Sequence, residues 1–251
     1  SALFLGEAAV GEYAAGYGVA DKTVLLICAW GAMAGAPLIM AAYEASGSRA
    51  AAAEARGLIR TLLYLGVPAA FRLALVAGPL SDALIGPELR AGAQEIIPWI
   101  AFAGLMNGLL IHYFSEAFQL AHRTLERAVL MLIPAGANIG LNLILIPQFE
   151  LMGAVIATLA SYGLGIAVLA ARGRRLVALP LPIVDLAKIT LAALAMWPVL
   201  ALIPAWGSWI ELFAKAIAGA ATYLLVALVL DAGGARGFVS AGMSSRGRAT
   251  A

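Results

Sequence analysis

Apolar residues run along this chain in long, nearly unbroken blocks, and polar residues gather in the short gaps between them. A helix needs roughly 20 mainly apolar residues to cross a bilayer. Blocks of that length recur, separated by breaks rich in Arg, Pro or Gly. The pattern predicts seven spans, over 19–43, 58–80, 96–118, 128–146, 151–171, 183–203 and 209–230. A tight turn, Pro147-Gln148-Phe149-Glu150, divides the fourth from the fifth. The fold class that follows is an all-α polytopic membrane protein.

Seven crossings place the two chain ends on opposite sides, and the basic residues divide unevenly between those sides. One set of loops holds Arg49, Arg56 and Arg60, then Arg123 and Arg127, then Arg172, Arg174 and Arg175, then Arg236, Arg246 and Arg248; the opposite set holds only Arg90. Cytoplasmic loops carry the excess of Lys and Arg, which puts the C-terminus in the cytoplasm and the N-terminus outside. Trp206 and Trp209 then flank the outer turn between the last two spans, where interfacial aromatics are common. The first residues, Ser1-Ala2-Leu3-Phe4, include no initiator Met and no signal pattern. The chain therefore reads as the C-terminal part of a longer protein, with 2–5 the outer end of a preceding span and 1–18 leading into the first helix. Residues 231–251, rich in Gly, Ser and Arg, read as a disordered cytoplasmic tail.

Composition sharpens this picture. Of 251 residues, 63% are hydrophobic and 12% charged, with a mean hydropathy of +0.95. A soluble domain carries roughly 25% charged residues, so a water-soluble fold is excluded. A net charge of +2 with scattered arginines makes no nucleic-acid footprint. The single cysteine, Cys28, has no companion for a disulfide or a metal motif and reads as a packing residue.

Two stretches carry a resemblance. The first is Leu5-Gly6-x4-Val10-Gly11-x-Tyr13-Ala14-Ala15-x-Tyr17, leading into a span with Pro37 near its inner end. The second is Asn138-Ile-x-Leu141-Asn142-Leu-x-Leu-Ile146-Pro147, followed by Met152-Gly153-Ala154-x-Ile156-Ala157-Thr158-x4-Tyr162. Together they resemble the C-terminal half of the Wzx-like polysaccharide-biosynthesis flippases, within the multidrug, oligosaccharidyl-lipid and polysaccharide exporter superfamily. In one respect the chain departs from that pattern: Gln148-Phe149-Glu150-Leu151 stands where the family usually has an aromatic and a glycine before the Gly-Ala pair.

The resemblance implies a transporter of about fourteen helices, two similar lobes and an added pair, working by alternating access. This chain would supply the last seven, with 19–171 a five-helix part of the second lobe and 172–230 the added pair. It also implies a bacterial inner-membrane protein that moves a polyprenyl-diphosphate-linked oligosaccharide outward for O-antigen, capsule or exopolysaccharide assembly. Its partners would be membrane lipid, the missing N-terminal lobe and a polysaccharide polymerase or ligase. No cofactor is implied; the chain has no Gly-x4-Gly-Lys-Ser/Thr loop for a nucleotide, so a proton or sodium gradient is the expected drive.

Several residues are candidates for the chemistry. Arg72 falls near the middle of the second span, where a charge costs about 2.5–3.5 kcal/mol and requires a partner or a water-filled cavity. It reads either as a phosphate contact, for which a guanidinium fork is suited, or as an arginine paired with a structural carbonyl. Lys22, beside Asp21 near the outer end of the first span, either snorkels to the interface or faces a cavity. In the third span, His112, Glu116, Gln119 and Arg123 recur at helical spacing as one polar stripe, with Asn107 above them. Asn107 and His112 read as a sugar path; His112 or Glu116 is a possible proton-coupling site, although from Glu116 onward the stripe can equally be a helix end outside the hydrocarbon. With no third ligand evident, a metal site is not expected.

The remaining polar pairs read as structural. Lys188 with Asp185 and Lys215 with Glu211 have ion-pair spacing, and Asn138 with Asn142 can hydrogen-bond between helices. Gly31/Gly35, Gly104/Gly108 and Gly136/Gly140 allow close packing of helices. Three other functions stay open at this point: a multidrug exporter of the same superfamily, an intramembrane transferase acting on a lipid carrier, and a passive scaffold. A central Arg72 favours an anionic substrate over cationic drugs. For an enzyme, His112 with Glu116 is the one candidate dyad.

Overall fold

Inside a bilayer the backbone has no hydrogen-bonding partner but itself, and long uncharged runs become helices. The structure, a computed structural model, describes residues 7–206, 208–234 and 236. Its elements in chain order are α1 (Glu7–Ser46), α2 (Ser48–Leu75), α3 (Ala77–Leu84), α4 (Arg90–Leu109), α5 (Glu116–Leu120), α6 (Thr124–Gly173), α7 (Ile183–Leu194), α8 (Met196–Ala201) and α9 (Ser208–Leu230). A π-helical segment, Leu110–Phe114, joins α4 to α5. Among the described residues there is no strand, and six helical stretches are long and apolar enough to cross a membrane.

Six stretches rather than seven follow from α6 alone. Its 50 residues would reach about 75 Å if straight. At Glu150, however, φ is 48° and ψ −123°, outside the helical region. Arg172 on the far side of that break donates to Glu126 near the start of α6, and Gly165 packs against Pro134. The element is therefore a hairpin with arms 124–149 (α6a) and 151–173 (α6b), so both expected crossings are present. Gly153 is what lets the arms approach at the tip, since a Cβ there would strike the Leu145 carbonyl. Glu150 itself holds a backbone conformation that favours glycine.

Other boundaries shift. The first span begins earlier than residue 19, because α1 is continuous from Glu7 and its apolar stretch runs Val10–Ser46. Residues 1–6, including the apolar start at 2–5, and 237–251 of the expected tail lie outside the described residues. The first part of that tail is packed: Ala232 is buried, and Gly233 lies against Tyr64 and Ile189. The second span breaks at Val76 and continues as α3, and the sixth divides at Ala195 into α7 and α8.

α1 is the axis of the bundle, packed along α2 and α4, with Ala20, Val24, Cys28 and Ala32 buried at those contacts. Cys28 is a packing residue, as expected, its sulfur seated against Gly66 and Gly108. Gly31 and Gly35 receive Leu62 and Leu58, and Gly104 lies on the backbone of Asp21. The pair Gly136/Gly140 does not fit this scheme: among the described residues nothing lies within 4 Å of a Cβ at either position. Asp185 is also paired differently from the reading above, accepting from Arg60 Nε at 2.6 Å and tying α7 to α2, whereas Lys215 and Glu211 pair as expected at 2.5 Å.

These contacts set a depth scale. Gly11 lies against Leu89, next to Arg90 near one end of α1, and Gly35 lies against Leu58, with α1 running on to Ser46 and α2 starting at Ser48 beyond that contact. Asp21 and Lys22 stand between, about 15 Å along α1 from Gly11 and about 20 Å from Gly35 at 1.5 Å per residue. Lys22 is thus about a third of the way along the apolar stretch Val10–Ser46, inside it and not at its outer end, and it is exposed.

Candidate functional site

Tyr13, Tyr17 and Asp21 follow one another at four-residue intervals and so share a face of α1. The first two stack on each other with ring centroids 5.6 Å apart. Across from them, α6b presents Thr158 and Tyr162 at the same spacing. Tyr13 Oη and Thr158 Oγ1 are 3.2 Å apart, and Tyr17 Oη and Tyr162 Oη 3.0 Å. Because Thr158 gives its own proton to the Ala154 carbonyl at 2.9 Å, it accepts from Tyr13. Ser161 Oγ likewise donates back to Ala157 at 2.6 Å, so both hydroxyls leave oxygen lone pairs available.

Between α1, the π segment and the two arms of α6 these groups line a cavity of about 510 Å³. Its polar wall is Tyr13, Tyr17, Asn138, Thr158, Ser161 and Tyr162, and its apolar wall includes Leu110, Met131 and Pro134. Asn138 is held by its neighbour one turn on, Asn142 Nδ2 donating to Asn138 Oδ1 at 3.0 Å and to its carbonyl at 2.8 Å. This pair was expected to bridge helices; here it bonds within α6a. Gly153 and Ala154 shape the hairpin tip above the cavity, Pro147 lies at that tip, and Pro37 lies in the opposite half of α1.

Asp21 adjoins this wall one turn below Tyr17. It is 3% exposed, and Oδ1 is closed to solvent with no hydrogen-bond partner among the described residues. Tyr17 and Asn107 are its polar neighbours.

The candidate residues named from sequence separate into distinct places. Asn107 is beside Asp21, and Lys22 is the next residue along α1 but faces outward. Arg72 is elsewhere: its Nη2 donates to the Ala216 carbonyl of α9 at 2.9 Å, in a mainly apolar pocket of about 280 Å³ with Thr23, Ile27, Leu73 and Leu212. A second pocket of about 390 Å³ extends from it along Trp30, Tyr64 and Tyr223. The polar stripe of the third span is broken. The π segment adds one residue to the turn, which rotates everything after it by about 100°. Glu116 is buried and accepts from Gln119 at 3.2 Å, His112 is half-buried within the π turn, and Arg123 is exposed. His112 and Glu116 therefore do not form a joined dyad, and among the described residues no cluster of His, Cys, Asp and Glu could hold a metal ion.

Sequence reasoning passed over Asp21, Tyr17, Thr158, Ser161 and Tyr162 as site residues. The signal was present in the four-residue spacing of Tyr13, Tyr17 and Asp21, matched by Thr158 and Tyr162 on the later motif.

Neither a family model nor a curated protein sequence matches this chain. Among solved structures it is similar to the lipid II flippase MurJ in an inward closed conformation, with a TM-score of 0.73 and 16% sequence identity. The match covers 89% of this chain and 47% of that one, so the chain spans about half the length of the flippase it resembles. The fold shown is that of half a flippase-like transporter, a multi-pass membrane protein.

Proposed function

We propose that this chain is the C-terminal lobe of a flippase that carries a lipid-diphosphate-linked oligosaccharide across the bacterial inner membrane by alternating access. In this reading the C-terminus is cytoplasmic, which the excess of Arg in one set of loops supports, and the polysaccharide served is O-antigen, capsule or exopolysaccharide. The observation that carries the reading is Lys22, an exposed ammonium about a third of the way along the apolar stretch Val10–Ser46 of α1 and well inside it. A charge at that depth marks a substrate path or a water-filled cavity, and a cation there suits a diphosphate. Ala14 and Gly18, preceding Lys22 by two and one turns on the same face, leave room above it; a Cβ at Gly18 would have nothing within 4 Å. The half-transporter fold supports the same reading.

Arg72 contributes in this scheme by tying α9 to α2, with its remaining donors open to the adjoining pocket. Asn107 and His112 belong to the helix that packs behind Lys22. A multidrug exporter is the second reading, and one observation favours it: the tyrosine-lined cavity with Asp21 beside it has the aromatic and acidic character that cationic drugs require.

The test is deletion of the full-length gene in its native host. Completed lipid-linked oligosaccharide should accumulate on the cytoplasmic leaflet while surface polysaccharide is lost. Wild type and Lys22→Arg should restore export, and Lys22→Ala should not. A truncated or absent precursor would point to an enzyme, and normal export with altered drug sensitivity to the second reading.

A further inference from the structure

We propose that Asp21 is a proton-carrying site, loaded and emptied through Tyr17 and Tyr162 from the cavity between α1 and the α6 hairpin. Three observations meet here. First, Asp21 lies inside the apolar stretch Val10–Ser46 and is 3% exposed, yet Oδ1 has no hydrogen-bond partner among the described residues. Asn107, Tyr17 and Lys22 compensate an ionised carboxylate only in part while Oδ1 stays without a donor, and burial of such a charge is costly. A carboxylic acid removes the charge and tolerates an oxygen without a donor.

Second, the surroundings suit a proton better than a metal ion. The titratable groups near the carboxyl are Tyr13 and Tyr17 on its own helix, Lys22 beside it in sequence, and Tyr162 on α6b. α4 brings the neutral Asn107, and α2 turns Arg72 away to Ala216 of α9. Among the described residues no second carboxylate acts on it, whereas a hard cation such as calcium is ordinarily held by a fuller shell of oxygen ligands.

Third, there is a route. Tyr17 neighbours Asp21 on one side and bonds to Tyr162 at 3.0 Å on the other, where both hydroxyls line the 510 Å³ cavity. The proton leaving Asp21 passes to the Tyr17 oxygen as that hydroxyl gives its own proton towards Tyr162 and cavity water. The carboxylate left behind has gained one negative charge beside Lys22, and reprotonation reverses the steps. Gly104 lies on the Asp21 backbone, where even a Cβ would come within 3.0 Å of its Cα, so a change of charge is felt directly at the α1–α4 contact. As a proton site Asp21 stands on this geometry; as the coupling step of transport it rests on the flippase reading.

The full-length protein in lipid nanodiscs, compared by infrared difference spectroscopy at acid and alkaline pH, tests the site without any substrate. Wild type should show a protonated-carboxyl band that Asp21→Asn removes and Asp21→Glu shifts. A band untouched by both variants overturns the proposal. So does a carboxylate signal that answers to sodium and not to pH. Should Asp21→Asn not fold, the Asp21→Glu shift decides alone. In proteoliposomes, wild-type movement of a lipid-linked saccharide should change several-fold with an imposed pH gradient and lose that dependence in Asp21→Asn. If the band behaves as expected but no saccharide moves, the flippase reading fails and the proton site stands. Movement indifferent to the gradient, with no Asp21 band, refutes the proton site and leaves the flippase reading intact.

Discussion

Tyr17 Oη and Tyr162 Oη meet at 3.0 Å, joining the central helix to the returning arm of the α6 hairpin. Tyr17→Phe and Tyr162→Phe should each lower stability, and the double variant should be less destabilised than the sum. Side-chain hydrogen bonds in membranes couple by about 0.6 kcal/mol on average, and the interaction energy here should be of that order. A double-mutant cycle on thermal unfolding in one detergent measures it; strict additivity would show that the two hydroxyls do not support one another.

At the hairpin tip, Glu150 holds a positive φ that glycine adopts without strain. Glu150→Gly should therefore stabilise the protein by about 1 kcal/mol, the lower end of what such a conformation costs a non-glycine residue. Gly153→Ala should do the opposite, since the new methyl meets the Leu145 carbonyl and backbone must shift. A loss of about 1–3 kcal/mol is the usual scale for overpacking. Melting temperatures of the two variants should fall on opposite sides of wild type.

The three glycine pairs separate by what they face. Gly104→Ala should destabilise by about 1–3 kcal/mol, because Asp21 Cα and its carbonyl oxygen lie 3.0 and 3.1 Å from the new Cβ. Gly136→Ala and Gly140→Ala meet nothing within 4 Å and should be neutral or stabilising by up to about 1 kcal/mol through helix propensity. A similar loss at all three positions would mean that α6a is covered where it stands open here.

Arg60 and Asp185 hold α2 to α7 through a 2.6 Å contact whose side chains are 41% and 13% exposed. Partial exposure reduces what the pair contributes, to the order of 1 kcal/mol or less. Either single alanine variant should cost about that, and the exchanged pair Arg60→Asp with Asp185→Arg should recover part of the loss. Unfolding at low and high salt checks the assignment, since the difference should shrink as salt rises.

Arg72→Lys distinguishes anchoring from phosphate contact. A lysine can still reach a carbonyl with one donor but cannot offer a guanidinium fork. If Arg72 only secures Ala216, expression and stability should drop modestly and export should track the amount of protein. Export falling well below the protein level would place Arg72 on the substrate path.

The crossings and the hairpin were legible in the sequence because lipid demands length and hydrophobicity, and both are visible residue by residue. The tip turn was also legible, with Pro147 and the Gly153-Ala154 pair bracketing Glu150. Span ends were less so: apart from Glu12, Val10 to Gly18 are apolar, aromatic or small enough to continue α1, but the sequence does not say that Leu89 and Ile96 wait against Gly11 and Gly16. For the same reason Lys22 was placed at an interface. Asp185 was assigned to Lys188, its neighbour on one helix, because Arg60 is 125 residues away in sequence and only the fold brings it near. Asp21 was overlooked beside a more conspicuous lysine, since burial of an acid is a property of what packs on it, here Gly104.

The third span was misread for a different reason. Counting by fours assumes an unbroken α-helix, and Leu110–Phe114 is wound more loosely, with Ser115 Oγ donating to the Leu110 carbonyl at 2.9 Å inside the wide turn. One surplus residue thus sets the angular bearing of the helix's lower part, as a shim sets a dial. Substituting the side chains on either side would change their chemistry but leave that bearing where it is. Removing a single residue from the loose turn would return it to α-helix with the segments on either side keeping their bearings and His112 and Glu116 three residues apart, so in this helix the winding of one turn, more than composition, decides which groups meet.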